Sequence, residues 1–138
     1  NRNKIKIKII GNKAFSKNLN NILNNAERIT KKNDKLQINL ALNYGSKTEI
    51  INALNKLKKS KGKITEKKVS QCLYTNNVPD PDFLIRTGNT SRLSNFLLWQ
   101  LAYSEIFFEK KLWPDFNKND YLRIINKFKK IKRNFGNI

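Results

Sequence analysis

Only six arginines occur in this chain, and two of them stand within seven residues of each other in Ile85-Arg86-Thr87-Gly88-Asn89-Thr90-Ser91-Arg92-Leu93-Ser94. The stretch leaves a short apolar run, Phe83-Leu84-Ile85, turns at Gly88 and is expected to enter a helix. At such a junction the backbone amides point outward with the positive end of the helix dipole, and anions bind there. Each guanidinium adds a planar fork suited to paired phosphate oxygens, and the Ser94 hydroxyl adds a further donor. The pattern reads as a phosphate-binding loop. The alternative is a solvated loop whose arginines pair with Asp80 or Asp82. Glu105 is the second residue of interest, set between Leu101-Ala102-Tyr103-Ser104 and Ile106-Phe107-Phe108. A carboxylate in such sequence is costly to bury without a partner. That partner would be a loop arginine or a divalent cation; otherwise Glu105 is a surface acid at a helix end.

The composition removes much other chemistry. The 138 residues contain no His, which excludes a Ser-His-Asp triad, a His general base and any His-ligated metal. The lone cysteine, Cys72, excludes an internal disulfide and a cysteine zinc cluster, and with no partner base it reads as a small packing residue. Any metal must be a hard cation held by oxygen. An apolar share of 38% supports one compact domain with a core. No run approaches a membrane span and no signal-peptide core opens the chain, so a cytoplasmic location is expected.

Twenty-nine Lys and Arg against ten Asp and Glu leave a net charge of +19. Such a charge raises nucleic acid as a partner. Twenty-three of the cations are lysines, however, and the aromatics lie in apolar runs and not between them. We therefore read the lysines as solvated faces and expect no nucleic-acid partner.

Two kinds of element must position the loop. Lys4 to Ile10 alternates with period two and stops at Gly11, and Leu36 to Tyr44 alternates again up to Gly45; both predict strands. Leu19, Ile22, Leu23, Ala26 and Ile29 predict an amphipathic helix capped by Ser16. Ser46 to Glu49 reads as a capping box opening a helix that buries Ile50, Ala53, Leu54 and Leu57. Thr65 is expected to cap a short helix with Val69 and Leu73. Leu93 to Tyr103, apolar on nearly every side, predicts a buried helix, and Trp99 and Trp113 read as packing residues. A last helix from about Asn119 to Arg133 carries Tyr121, Ile124, Ile125, Phe128 and Ile131 inward. Strands alternating with helices predict an α/β fold with a mostly parallel sheet flanked by helices.

Three segments go beyond general physics. Pro81-Asp82-Phe83-Leu84-Ile85-Arg86-Thr87-Gly88, then Arg92 to Glu105 with its Ser94-Asn95-Phe96-Leu97-Leu98-Trp99-Gln100 core, then Leu112-Trp113-Pro114-Asp115-Phe116 resemble the C-terminal signature of the cis-prenyltransferases of undecaprenyl diphosphate synthase type. Asn39 to Gly45 and Glu49-Ile50 look like that family's middle strand and helix, and the likeness runs from about Ile5 to Gly136.

The resemblance implies an enzyme that joins isopentenyl diphosphate to an allylic diphosphate, usually farnesyl diphosphate, to form a cis-polyprenyl diphosphate. It further implies that Arg86, Arg92, Leu93 and Ser94 bind isopentenyl diphosphate, that Glu105 helps to hold Mg²⁺, and that the subunits form a homodimer touching the membrane through their lipid product. The family's Asp-Gly-Asn-Gly-Arg-Trp and Ser-x-Glu-Asn-Trp-x-Arg signatures are absent. With a first residue that is Asn1 and not Met, this predicts a single-domain C-terminal fragment, with the catalytic aspartate upstream and no turnover by these residues alone. Other departures are Thr90, where relatives carry an acid, Lys47, where many have Arg, and Asn134, which replaces an arginine of a tail reaching the neighbouring subunit. The rival readings are a non-catalytic accessory subunit, which the intact Arg86 to Ser94 loop argues against, and a basic nucleic-acid-binding module.

Overall fold

A computed structural model describes residues 3–59 and 62–133, and Asn134 lies outside them. The chain divides into two compact units, Asn1–Asn77 and Val78–Ile138. In the first, β1 (Ile5–Ile10) leads to α1 (Lys17–Thr30), β2 (Leu36–Ala41), α2 (Ser46–Leu57) and α3 (Glu66–Cys72). In the second, β3 (Phe83–Arg86) is followed by β4 (Glu105–Phe108), a 3₁₀ turn at Trp113–Asp115 and α4 (Lys118–Phe128). Each unit holds one parallel strand pair, β1 with β2 and β3 with β4. The expected parallel, helix-flanked α/β class is what the chain forms. No helix among the described residues is long and apolar enough to cross a membrane.

In the first unit Ser16 caps α1 by accepting from the Leu19 amide, and Thr65 caps α3 by accepting from Lys68. The core gathers Ile9, Ile10, Ala53, Leu57, Val69 and Leu73. Gly11, at φ +112°, leaves no room for a side chain, because a Cβ there would stand 2.2 Å from the Leu42 carbonyl oxygen.

α1 does not bury the stripe its periodicity suggested. Leu19, Ile22 and Ile29 are exposed, while Asn20, Leu23, Glu27 and Thr30 turn inward. The reason lies on β1, whose outer backbone groups need partners. Thr30 Oγ1 accepts from the Ile7 amide at 3.1 Å, Glu27 Oε1 accepts from Ile9 at 2.8 Å, and Asn33 Nδ2 donates to the Ile5 carbonyl at 2.7 Å.

The capping box expected from Ser46 and Glu49 does not form. Gly45 is the N-cap, without a side-chain cap, and Ser46 and Glu49 sit on the buried stripe with Ala53 and Leu57. Glu49 reaches away from the helix end: Oε2 accepts from the Tyr44 hydroxyl and Oε1 from the Tyr74 amide at 2.6 Å. The actual capping box is at α4, between Asn117 and Asp120.

The second unit departs most from expectation. Residues 93–103 form successive turns and no helix, although the Leu101 amide donates to the Leu97 carbonyl in an i to i−4 bond. Positive φ angles at Ser94 (49°), Asn95 (62°) and Leu97 (44°) break the right-handed path a helix needs. Trp113 is 73% exposed, stacked on Phe116, and is not a core residue. Phe83 instead packs on Phe107 and Phe128 at centroid distances of 6.1 and 5.0 Å, and Ile124 and Leu101 are the buried apolar residues among those described in this unit.

Three carboxyls are held below their ordinary pKa. Burial opposes ionisation of Glu27, but the Ile9 amide and the Lys13 ammonium together outweigh it and hold its pKa below the ordinary 4.5. The Arg123 guanidinium does the same for Glu109, and the Lys111 ammonium holds Asp120 below 3.8. A depressed native pKa stabilises the fold above the unfolded value and loses that contribution as pH falls through the native one. Urea midpoints are therefore expected to stay level from pH 7 to about 5 and to fall below about pH 4.5. In Glu27→Gln the acid-side slope should be shallower; an unchanged slope would remove Glu27 from the account.

Candidate functional site

The expected loop is fixed at both sides. Arg86 ends β3, and the chain then turns through Gly88 (φ 92°) and Asn89 (φ 54°). The Glu109 amide donates to the Arg86 carbonyl at 2.8 Å, Asn89 N to Glu109 O at 3.1 Å, and Gly88 N to Lys111 O at 2.8 Å. Residues 109 and 111 are in turn tied to α4, Lys111 to Asp120 at 2.9 Å and Glu109 to Arg123. The loop therefore hangs on a strand end and a helix through backbone bonds and ion pairs.

This stitching corrects part of the sequence reading. The Gly88 and Asn89 amides are already bonded to carbonyls and are not presented to an anion. With no helix after Ser94, no helix dipole adds to the site. What remains is side-chain chemistry. Arg92 is exposed and makes no hydrogen bond or ion pair among the described residues. Arg86 is half-buried, and its Nε donates to Thr90 Oγ1 at 3.1 Å, which holds the guanidinium. The Ser94 hydroxyl is exposed, and Leu93 is half-buried in the first turn after the loop, its carbonyl accepting from Phe96 N. Neither Asp80 nor Asp82 takes a loop arginine: Asp82 pairs with Arg133 at 2.6 Å.

The Arg86 and Thr90 pair was missed from the sequence, although a spacing of four was visible. Valine in place of Thr90 would free the guanidinium to swing. If the loop binds a phosphate, Thr90→Val is expected to weaken that binding about twofold to tenfold, up to the lower end of what one hydrogen bond to a charged group is worth. Calorimetric titration with inorganic diphosphate checks it.

The strand register settles which groups share a face. Phe83 lies opposite Glu105 and Arg86 opposite Phe108. Side chains alternate, so Glu105 stands with Phe83, Ile85 and Phe107, whereas Arg86 stands with Leu84, Ile106 and Phe108 on the other face. Ile106 and Phe108 are exposed beside the arginine. Glu105 is three residues back along the pair, roughly 10 Å at about 3.3 Å per residue. The register does not bring Glu105 and Arg86 together. Among the described residues no group of three or more acidic or thiol side chains is placed to hold a metal ion. Glu105 could offer Mg²⁺ one carboxylate, but these residues alone do not build a site for it.

A separate polar cavity of about 590 Å³ opens where β1 and β2 end, lined among others by Asn12, Asn43, Tyr44, Thr48, Glu49 and Asn52.

Residues 1–136 match the family described as "Putative undecaprenyl diphosphate synthase". An isoprenyl transferase of Rickettsia bellii is 47% identical over 137 residues, covering 98% of this chain and 61% of the relative. One from Thermotoga maritima is 43% identical over 143 residues, 99% of this chain and 61% of the relative. Among solved structures, a "probable undecaprenyl diphosphate synthase" from Campylobacter jejuni aligns with a TM-score of 0.88 at 36% identity, over 98% of this chain and 64% of the other. Lavandulyl diphosphate synthase from Lavandula x intermedia, in complex with dimethylallyl diphosphate, aligns at 0.91 and 32%, over 99% and 62%. The chain thus spans about three-fifths of the length of these relatives.

Proposed function

The chain belongs to the undecaprenyl diphosphate synthase family, and from that premise we propose that it forms the part of a cis-prenyltransferase that binds isopentenyl diphosphate. The observation that carries this reading is the pairing on one sheet face of the Arg86 guanidinium, steadied by Thr90, with exposed apolar Ile106 and Phe108. Isopentenyl diphosphate is an amphiphile, with several negative charges at one end and a branched five-carbon alkene at the other. A guanidinium fork takes the first, and aliphatic or aromatic surface takes the second.

In the reaction the allylic C–O bond breaks, diphosphate departs, the alkene of isopentenyl diphosphate forms the new C–C bond and a proton is lost. The residues of this loop contribute by position: Arg86 and Arg92 neutralise the diphosphate, Leu93 and Ser94 complete the pocket wall, and the alkene is thereby held for attack. The allylic substrate and the residues acting on its leaving group are assigned to the rest of the family's length, so the chain by itself is expected to bind without turnover. The proposed whole enzyme is a homodimer that meets the membrane through its lipid product.

Calorimetric titration of the 138-residue chain with isopentenyl diphosphate tests the reading. Saturable binding that inorganic diphosphate competes for, and that Ile106→Asn or Phe108→Asn weakens, supports it. Binding of random duplex DNA with a steep salt dependence and none of isopentenyl diphosphate would replace it with a basic nucleic-acid module.

A further inference from the structure

Gly88 and Asn89 adopt left-handed backbone, at φ 92° and 54°, and contacts from outside the arginine loop hold that shape. The short segment Glu109-Lys110-Lys111 supplies them. The Lys111 carbonyl accepts from Gly88 N at 2.8 Å, the Glu109 carbonyl accepts from Asn89 N at 3.1 Å, and the Glu109 amide donates to the Arg86 carbonyl at 2.8 Å. Arg86 is thereby fixed twice, through its own carbonyl and through the Thr90 hydroxyl at its Nε.

That segment is itself irregular, a bend between β4 and the turn at Trp113, and charge fixes it. Glu109 Oε1 accepts from the Lys110 amide at 3.0 Å, and the Lys111 amide also favours the charged carboxylate. The other oxygen, Oε2, is taken by the Arg123 guanidinium from the second turn of α4. Lys111 Nζ reaches the same helix, donating to the two Asp120 oxygens at 3.0 and 2.9 Å, and Asp120 accepts in turn from the Asn117 amide at 3.0 Å. A carboxylate gripped at one oxygen by a guanidinium and at the other by a backbone amide cannot rotate without breaking charge-assisted bonds. The contacts therefore run from Arg123 to the Glu109 carboxylate, to the backbone of residues 109–111, and on to Gly88, Asn89 and Arg86.

We propose that Arg123 and Glu109 are positioning residues for the arginine loop: their ion pair sets the bend at 109–111, and the bend holds Arg86 ready for the diphosphate. The inference deepens the isopentenyl diphosphate reading and rests on it. Neither side chain needs to touch the ligand. Arg123 is 46% exposed, and an ion pair open to water contributes little to global stability. Its effect on the loop is larger, because a loop already ordered binds without the loss of freedom that a loose one suffers.

Arg123→Met and Glu109→Gln test it by calorimetric titration of the 138-residue chain with isopentenyl diphosphate. The two changes move net charge in opposite directions, so attraction of the anion by overall charge alone would weaken binding in the first and tighten it in the second. Positioning predicts that both weaken it, by about threefold to tenfold, with urea midpoints close to wild type. Arg123→Lys, which keeps a cation beside the carboxylate, should stay within about twofold of wild type. In the free chain, amide exchange at Gly88 and Asn89 should quicken about tenfold in both weakening variants. The Glu105 amide, bonded to the Asp82 carbonyl at 3.1 Å at the far end of the strand pair, should keep its rate. Wild-type or tighter affinity in Glu109→Gln, or unchanged exchange at Gly88 and Asn89, overturns this inference alone. No binding of isopentenyl diphosphate by the wild-type chain overturns the reading it rests on as well.

Discussion

Replacing Arg92 with alanine is expected to weaken isopentenyl diphosphate binding by about 1.5–3 kcal/mol, roughly 10- to 150-fold in Kd, and Arg86→Ala by a similar amount. The two variants differ in what else they disturb. Arg92 is exposed and bonds to nothing among the described residues, so its loss should leave stability untouched and report on ligand alone. Arg86 is half-buried and bonded to Thr90, so its removal also releases that hydroxyl and should cost some stability. Arg92→Lys separates charge from shape: it keeps the cation, loses the planar fork and should fall between wild type and Arg92→Ala. Calorimetry on the chain and Michaelis constants in a whole enzyme carrying the same changes are the measurements. A Kd within twofold of wild type for Arg92→Ala would remove the arginine pair from the site.

A comparable loss, in stability and not in binding, is expected at Glu49. The carboxylate is only 2% exposed, and its two oxygens accept from the Tyr44 hydroxyl and the Tyr74 amide. Lys8 completes the arrangement by donating to the Tyr74 carbonyl at 2.7 Å. Three segments thus meet at one side chain, the turn after β2, the first turn of α2 and the chain beyond α3, and β1 joins them through the Tyr74 carbonyl. Glu49→Ala would take this acceptor from a part-buried hydroxyl and a part-buried amide, and each charge-assisted bond lost is worth about 1.5–3 kcal/mol, so a fall in unfolding free energy of about 3 kcal/mol is expected. Tyr44→Phe removes one donor without stranding the other and should cost about 1 kcal/mol. The pair should be non-additive in a double-mutant cycle read from urea midpoints. A loss below about 1 kcal/mol for Glu49→Ala would show that water replaces the carboxylate.

Much of this was legible in the residues, and the failures share a cause. The period-two runs at Ile5–Ile10 and Leu36–Ala41 and the Ser16 and Thr65 caps were readable because the signal lies within a few neighbouring residues. The stretch 93–103 misled because its apolar content suits a buried helix, yet three residues adopt left-handed backbone there. Glu49 was read as half of a capping box, although its spacing from Ala53 and Leu57 already placed it on the buried stripe. At the loop the residue types pointed to the right chemistry but not to the right donors. Two amides credited to an anion are spent on the carbonyls of Lys111 and Glu109, some twenty residues away.

By itself the order of residues determined the alternation of strands and helices, the exclusion of histidine chemistry and of an internal disulfide within these 138 residues, and a family signature from Pro81 to Phe116, because hydropathy period, composition and motif are properties of local spacing. Only the tertiary structure decided which stripe α1 turns inward, which donors Glu49 satisfies and which sheet face carries Arg86. Each of those depends on backbone and side-chain groups finding hydrogen-bond partners far along the chain, and the need to satisfy such groups on burial overrides the preference of any single segment.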